Sequence, residues 1–245
     1  LDPCPAHPSK SAATRPGYPD ELFEYVATLA PRRSLVWDCA TGQGQAAVGL
    51  ARHFDRVIAT DASAEQLAQA NAIPGVEFRV ATAESSGLDA GSVSLVTVAQ
   101  ALHWFNFDTF YTEVRRVTVA GGAIAAWSYG TCHAGDDIEP MLREFEHGTV
   151  GPYWNAGRKW VDEGYRGIPF PFQEVTSPPF ELHMEWTLAQ LGEYVRSWSA
   201  VAKFAREKGT DPVAPLLEQI GRHWGTAGTR RSVRWPLALR VGRVG

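Results

Sequence analysis

The stretch Leu35-Val36-Trp37-Asp38-Cys39-Ala40-Thr41-Gly42-Gln43-Gly44 decides the fold expected for this chain. It begins with an apolar run, which is typical of a strand buried on both faces. A tight loop of small residues follows and leads into a helix predicted over residues 44–53. Small residues are needed where a bound molecule must come close to the backbone. In open α/β sheets, a loop at the carboxyl end of such a strand lies beside the ligand-binding crevice.

The rest of the chain alternates between predicted strands and predicted helices. Further strands are predicted at residues 57–60, 76–80, 93–98, 123–128, 181–186 and 232–244. Helices are predicted from Pro19, after Ser63, from Asp108 through Val117, after Thr187 to about residue 205, and after Asp211. Such alternation predicts a sheet of seven mostly parallel strands with helices on both faces.

Residues 129–180 interrupt this alternation. They contain many Gly, Pro and aromatic residues, including Tyr153, Trp154, Trp160, Tyr165, Phe170 and Phe172. The segment is too irregular for another strand–helix unit and too aromatic for a disordered linker, so we expect a cap over the carboxyl edge of the sheet. We therefore predict a single domain over residues 1–245, with an amino-terminal arm and lid at residues 1–30 and the cap as an insert.

Composition and charge argue against several classes of function. A formal net charge of -4 disfavours a general nucleic-acid binder, which needs a surplus of Lys and Arg to neutralise phosphates. No apolar run approaches the roughly 18 to 20 residues needed to cross a bilayer. The three cysteines, Cys4, Cys39 and Cys132, show neither a disulfide framework nor a metal-ligand spacing. These features predict a cytoplasmic protein with no metal, no nucleic-acid partner and no membrane segment.

The glycine loop can be interpreted in two ways, each of which implies a cofactor that contains adenosine. Asp61, at the end of the predicted second strand, is placed to accept hydrogen bonds from both hydroxyls of a ribose. Residues 42–47 fit the dinucleotide pattern G-x-G-x-x-A, with Asp61 about twenty residues later. Residues 38–44 fit D-x-A-x-G-x-G, in which Asp38 suits the amino group and sulfonium of S-adenosylmethionine. Because dinucleotide loops usually have an apolar residue where Asp38 stands, we favour S-adenosylmethionine and keep NAD as the alternative.

Several short segments carry a family resemblance. They are residues 15–19 (Arg-Pro-Gly-Tyr-Pro), 36–45, 61–63, 83–84, 99–105, 121–122 and 197–199. Together they resemble the class I methyltransferases, and within them the type 11 group that includes trans-aconitate methyltransferase. Two positions depart from the usual pattern, since Ala40 stands where the first loop glycine is common and Thr82 where an Asp is common. The resemblance implies a Rossmann-like α/β sandwich whose last strand runs antiparallel.

The resemblance also implies which residues hold the cofactor. The residues concerned are Asp38, Ala40, Thr41, Gly42, Gln43, Gly44, Asp61, Ala62, Ala83, Glu84, Gln100 and Ala101. The glycine loop would lie under the methionine and ribose, Asp61 would bind the ribose hydroxyls, and Ala62 would pack on the adenine. Residues 83–84 would reach the adenine edge through backbone groups, and residues 100–101 would line the methyl-bearing side.

The acceptor would meet a separate set of side chains. By resemblance these are His103, Trp104, Tyr18 and Tyr129, with Tyr18 also covering the cofactor. In-line attack on an activated methyl group depends mainly on alignment and exclusion of water. A base is required only when the acceptor loses a proton, and His103 is then the candidate. His103 could equally be a packed loop residue that moves no proton.

The acceptor itself is predicted only by class. The aromatic cap and the net charge favour a small molecule, and we expect a monomer or a weak homodimer. A carboxylate acceptor would call for a guanidinium group, from Arg15, Arg158, Arg166 or Arg196. Two other functions remain open, an NAD-dependent oxidoreductase and a protein that binds S-adenosylmethionine without catalysis.

Overall fold

The computed structural model describes residues 16–245, which divide into two compact units. The sheet unit comprises residues 17–129, 159–180 and 237–245, and the helical unit comprises residues 130–158 and 181–236. The predicted insert is thus shared between the two units. The single-domain organisation with a cap stays a prediction. Most of the predicted arm, with Cys4 and Arg15, lies outside the described residues.

The sheet unit has the alternating elements that the sequence predicts. In chain order they are α1 (Asp20–Thr28), β1 (Val36–Cys39), α2 (Gln45–Leu50), β2 (Val57–Asp61), α3 (Ala64–Leu67), β3 (Val76–Val80), β4 (Val93–Ala99), a 3₁₀ helix (Leu102–Trp104), α4 (Phe107–Val117) and β5 (Thr118–Ser128). The later elements of the chain, which belong to both units, are α5 (Glu139–Glu144), α6 (Arg158–Asp162), β6 (Gln173–Val175), β7 (Phe180–Thr187), α7 (Leu188–Arg196), α8 (Ser199–Lys208), α9 (Val213–Trp224) and β8 (Arg230–Arg243).

The strand order is β3-β2-β1-β4-β5-β8-β6, and β7 pairs with β8 beside this path. The first five strands in this order are parallel, whereas β8 runs antiparallel to β5 and β6. This confirms the mostly parallel sheet with an antiparallel last strand. The short strand β6 was not predicted, because Gln173–Val175 is largely polar and lies within the irregular insert.

The central strands are buried on both faces, as their apolar runs predict. Val36 and Leu95 enter a core cluster that includes residues of α1 and α2. Their neighbours Trp37 and Val96 enter a second cluster that includes residues of α4. The helices therefore cover both faces, and the strand ends become the place where polar groups can meet a ligand.

Two details of the helices differ from prediction. The helix α4 is capped by Asn106, whose side chain accepts from the amide of Thr109, so the helix begins one residue before the predicted start at Asp108. A capping box of Thr187 and Gln190 opens α7 directly after Thr187, where the sequence predicts a helix to begin. The helix expected to continue to about residue 205 instead ends at Arg196, and α8 begins at Ser199.

The helical unit has an aromatic core of its own. Trp186, Tyr194 and Trp235 pack with ring centroids 4.9 to 5.4 Å apart, and the indole of Trp235 donates to the Tyr194 hydroxyl at 2.9 Å. The sequence after α5 forms a π-helical turn, Phe145–Thr149. No helix within residues 16–245 is both long enough and apolar enough to span a membrane.

Candidate functional site

Two residues at neighbouring strand ends have an uncommon backbone conformation. Ala40 follows β1 with φ of 55°, and Gln100 follows the paired strand β4 with φ of 58°. Residues other than glycine rarely adopt positive φ, and those that do cluster at functional sites. The Gln100 side chain donates to the carbonyl of Tyr129 at 3.1 Å, which ties the ends of β4 and β5 together. The next residue, Ala101, is buried.

The carboxyl group of Asp38 is completely buried at the end of β1. Thr41 donates to one of its oxygens at 2.5 Å, and Thr97 of β4 donates to the other at 2.9 Å. Burial raises the pKa of Asp38 to about 6, although both hydroxyl groups oppose the shift and nearby Asp61 adds to it. A carboxylate in such a place favours a cation close by.

The carboxylate of Asp61 joins the two loops that follow β1 and β2. Its Oδ2 accepts from the amide of Gly42 and its Oδ1 from the amide of Ser63, both at 2.8 Å. Each carboxylate oxygen can accept more than one hydrogen bond. Asp61 therefore shapes the loop and retains lone pairs for the hydroxyl groups of a ligand.

The two loop glycines lie in different surroundings. A Cβ added to Gly42, at φ of 58°, would have no atom within 4 Å. A Cβ added to Gly44, at φ of 87°, would lie 2.8 Å from Cζ of Phe78. Gly44 is thus required by packing, whereas Gly42 borders open space. The side chain of Gln43 turns away to donate to Gln69 at 2.9 Å.

The loops after β2 and β3 present a different mixture of groups. Ala62 is exposed, whereas Ala83 is buried. Glu84 is partly buried, and its carboxylate accepts from the amide of Asn106 at 3.1 Å. The Glu84 side chain therefore supports the start of α4, which leaves its backbone for any contact with an adenine. Thr82, at the position where an Asp is common, is exposed and bridges to Ser85.

Aromatic rings surround the end of β5. The ring of Tyr18 lies edge-on to Trp127 with centroids 5.7 Å apart, and 6.4 Å from the ring of Tyr129. Trp127 is fully buried, and no residue of the described chain accepts a hydrogen bond from its Nε1. A buried donor without a partner carries a desolvation cost that a polar ligand can relieve.

His103 and Trp104 lie in the 3₁₀ helix after β4. Nδ1 of His103 is 3.0 Å from the hydroxyl of Tyr165, and the rings of His103 and Trp104 are 5.0 Å apart. Both side chains are partly exposed, while Tyr165 is fully buried. One edge of the His103 ring is therefore held by the protein.

Several known proteins that resemble this chain are described as methyltransferases. A family model described as a methyltransferase domain matches residues 37–126. A protein of Dictyostelium discoideum assigned as a methyltransferase is 33% identical over 216 residues, which cover 86% of this chain and 82% of that protein. A solved structure from Anaeromyxobacter dehalogenans, assigned as a type II methyltransferase, shares 39% identity with a TM-score of 0.89 and covers 94% of this chain and 98% of its own.

The chain belongs to the class I S-adenosylmethionine-dependent methyltransferases. S-adenosylmethionine is the methyl donor of this family and hence the cofactor of this chain. The dinucleotide interpretation of the glycine loop loses its support, whereas the narrower likeness to trans-aconitate methyltransferase stays a prediction. A protein of Saccharomyces cerevisiae assigned as an S-adenosylmethionine-dependent methyltransferase is 27% identical over 235 residues, which cover 81% of this chain and 80% of that protein.

The groups at the strand ends of this methyltransferase fit the chemistry of its cofactor. The open space at Gly42 admits a ligand against the backbone. Buried Asp38 complements a positive charge, and Asp61 retains lone pairs for ribose hydroxyls. All the cofactor residues predicted from the sequence lie in the sheet unit. Their individual contacts with the cofactor stay predictions.

Three side chains of the site were absent from the sequence-based prediction. Thr97 and Trp127 lie near the carboxyl ends of β4 and β5, and that position is a signal that could have found them. Tyr165 comes from the irregular insert, where no periodic pattern indicates which aromatic residue faces the sheet. Only the folded chain shows its contact with His103.

Two of the four arginines proposed for a carboxylate acceptor pair with carboxylates of the described chain. Arg158 pairs with buried Glu146 and stacks 4.2 Å over the ring of Trp154. Arg196 pairs with Asp211 at 3.0 Å, Arg166 is exposed, and Arg15 lies outside the described residues. Within residues 16–245, no cluster of three or more His, Cys, Asp or Glu side chains could hold a metal ion.

Proposed function

We propose that this methyltransferase transfers a methyl group to a small-molecule acceptor by in-line attack at the carboxyl edge of the sheet unit. The observation that carries the proposal is the meeting of Asp38, Gly42 and Asp61 at two adjacent strand ends. A buried carboxylate, an open glycine and a carboxylate tied to the glycine loop together match the charge and shape of S-adenosylmethionine. A cytoplasmic location and a monomeric or weakly dimeric state are part of the same proposal.

The chain's own residues divide the work of binding. Asp38, Ala40, Thr41, Gln43 and the two loop glycines would hold the methionine end and the ribose. Asp61 would accept from the ribose hydroxyls, Ala62 would pack on the adenine, and Ala83 and Glu84 would contact its edge through backbone groups. When bound, the cofactor supplies a methyl group that its sulfonium already activates.

The acceptor is proposed to lie among Gln100, Ala101, His103, Trp104 and the pair Tyr18 and Tyr129. Aromatic rings here exclude water and restrict the directions from which the acceptor can approach. His103 would contact the acceptor through Nε2, because Nδ1 already faces Tyr165. The net charge of -4 supports a small molecule over a nucleic acid.

Ligand-induced stabilisation tests the cofactor site. S-adenosylhomocysteine should raise the melting temperature, because a ligand that binds only the folded state stabilises it. NADH should leave the melting temperature unchanged. Stabilisation by NADH alone would instead support the oxidoreductase alternative.

Methyl transfer tests the activity. Labelled S-adenosylmethionine should transfer its methyl group to one or more members of a panel of small metabolites, and a mixture of nucleic acids should receive none. Binding of S-adenosylhomocysteine without transfer to any member would support the alternative of a binding protein that lacks catalysis. His103→Ala should lower the turnover of the acceptor found in the panel.

A further inference from the structure

Tyr165 meets the candidate acceptor residue His103 from the buried side. Its hydroxyl oxygen lies 3.0 Å from Nδ1 of His103, and the two ring centroids are 5.9 Å apart. Tyr165 itself has no exposed surface. The hydroxyl can therefore interact only with groups of the protein, and among residues 16–245 the side chain of His103 lies within hydrogen-bond distance of it.

The backbone of Tyr165 is held in an unfavourable conformation. Its φ is 62°, which a bulky residue adopts only when its surroundings demand it. The amide of Tyr165 donates to the carbonyl of Trp160 at 2.7 Å. Arg240 of β8 donates to the carbonyls of Tyr165 and Ile168 at 2.9 and 2.6 Å. These hydrogen bonds hold the backbone of Tyr165 and so fix the direction of its phenol ring.

The neighbours of the Tyr165 oxygen indicate where its hydrogen goes. Burial raises the pKa of Tyr165, while Ser128 and the backbone amides of Leu102 and His103 oppose that shift. The phenol therefore stays neutral, with one hydrogen to donate and two lone pairs. Within the described residues, Nδ1 of His103 lies 3.0 Å from this buried hydroxyl and can accept its hydrogen. A buried hydroxyl hydrogen without an acceptor is destabilising, so the hydrogen goes to Nδ1 of His103.

We propose that Tyr165 is a positioning residue that donates its hydroxyl hydrogen to Nδ1 of His103 and so holds the neutral imidazole with its proton on Nε2. The proposal rests on the proposed function in placing the acceptor at His103. The ring then presents an N–H group to the acceptor. His103 orients the acceptor by donating a hydrogen bond, and it removes no proton from it, which differs from the base role that its residue type suggests.

The nitrogen resonances of His103 test this assignment without any acceptor. The protein is labelled with ¹⁵N-histidine and studied well above the ordinary imidazole pKa of about 6.5, with His103→Gln used to assign the signals. We expect a protonated Nε2 and an unprotonated Nδ1 that is shifted by a hydrogen bond. In Tyr165→Phe, Nδ1 should move to the position of a nitrogen without a hydrogen bond. A protonated Nδ1 in the unchanged protein would overturn the proposal, whether or not the variant folds.

Two further variants separate a positioning role from a structural one. Tyr111→Phe is the matched control, since this buried tyrosine donates to the carbonyl of Pro169 at 2.7 Å. It should leave the His103 resonances unchanged, as should Ser128→Ala. A change of the Nδ1 resonance in Ser128→Ala as large as that in Tyr165→Phe would show that Ser128 takes the hydrogen and would contradict the proposal.

Turnover gives a second measurement once an acceptor is known. Tyr165→Phe should lower kcat by about tenfold while the Kd of S-adenosylhomocysteine stays within about twofold, because only the alignment of the acceptor is affected. Unchanged kcat would contradict the positioning role. Absence of methyl transfer by the unchanged protein would count against the proposed function alone, because the nitrogen resonances of His103 decide the assignment independently.

Discussion

At the scale of single residues, Gly42 and Gly44 should respond differently to the same added methyl group. Gly42→Ala places it in open space at positive φ, so we expect a loss of only about 1 kcal/mol of unfolding free energy. Gly44→Ala adds a collision with Phe78 and should cost about 2–3 kcal/mol. Urea denaturation measures both changes.

The variant Gly42→Ala also tests the location of the cofactor. The methyl group of Gly42→Ala would occupy space proposed for the cofactor, so its affinity for S-adenosylhomocysteine should fall at least about tenfold by calorimetry, or about 1.4 kcal/mol. An affinity equal to that of the unchanged protein would show that the cofactor lies elsewhere.

Asp38 should make stability depend on pH. Burial raises its folded pKa to about 6, whereas the unfolded value is about 3.9. The unfolded chain loses this proton first as pH rises, so the charge destabilises the fold progressively between about pH 4 and pH 6 and remains costly above. Asp38→Asn should therefore raise the unfolding free energy at neutral pH, by up to about 3 kcal/mol, and change it little below about pH 4.

The hydroxyl groups of Thr41 and Thr97 permit this substitution, since they can accept as well as donate. The affinity for S-adenosylhomocysteine should depend on pH in the opposite direction to the stability. The ammonium group of S-adenosylhomocysteine favours ionised Asp38, so affinity should rise as pH increases through about 6 and become flat in Asp38→Asn. A variant that is less stable at neutral pH and keeps the same binding profile would exclude a role for this charge.

At the scale of elements, Arg240 of β8 holds part of the insert in place. Its guanidinium reaches two carbonyls of the turn at residues 165–168 and also pairs with Glu174 of β6 at 2.6 Å. Lysine cannot reproduce that fork, so Arg240→Lys should lower the unfolding free energy by about 1–2 kcal/mol. Arg222→Lys is the control, because this exposed pair with Glu218 should contribute less than about 0.5 kcal/mol. Equal losses of unfolding free energy in Arg240→Lys and Arg222→Lys, measured by urea denaturation, would show that Arg240 does not hold the turn in place.

At the scale of the whole molecule, cofactor binding should protect specific loops. S-adenosylhomocysteine at about 100 times its Kd should add about 2.7 kcal/mol to the unfolding free energy. Hydrogen exchange should slow at the amides of Gly42 and Ser63, which already donate to Asp61. Exchange that slows only outside residues 38–44 and 61–63 would place the cofactor at another site.

The sequence by itself determined the parallel sheet and, through its resemblance to class I methyltransferases, the family of the chain. The sheet follows from a local pattern, because a strand buried on both faces must be apolar. Small residues likewise mark the loop that is proposed to lie against the cofactor. The capping box at Thr187 was predictable for the same reason, since its bonds join residues three apart. The break between α7 and α8 was not, because no proline or glycine marks it.

Only the tertiary structure decided which distant side chains meet. Thr97 reaches Asp38 across 59 residues of sequence and Tyr165 reaches His103 across 62. The positive φ of Ala40, Gln100 and Tyr165 likewise has no signature in residue type. Such contacts and conformations arise from the pairing of strands and the path of an irregular insert, which depend on packing over the whole sheet unit and not on any local pattern.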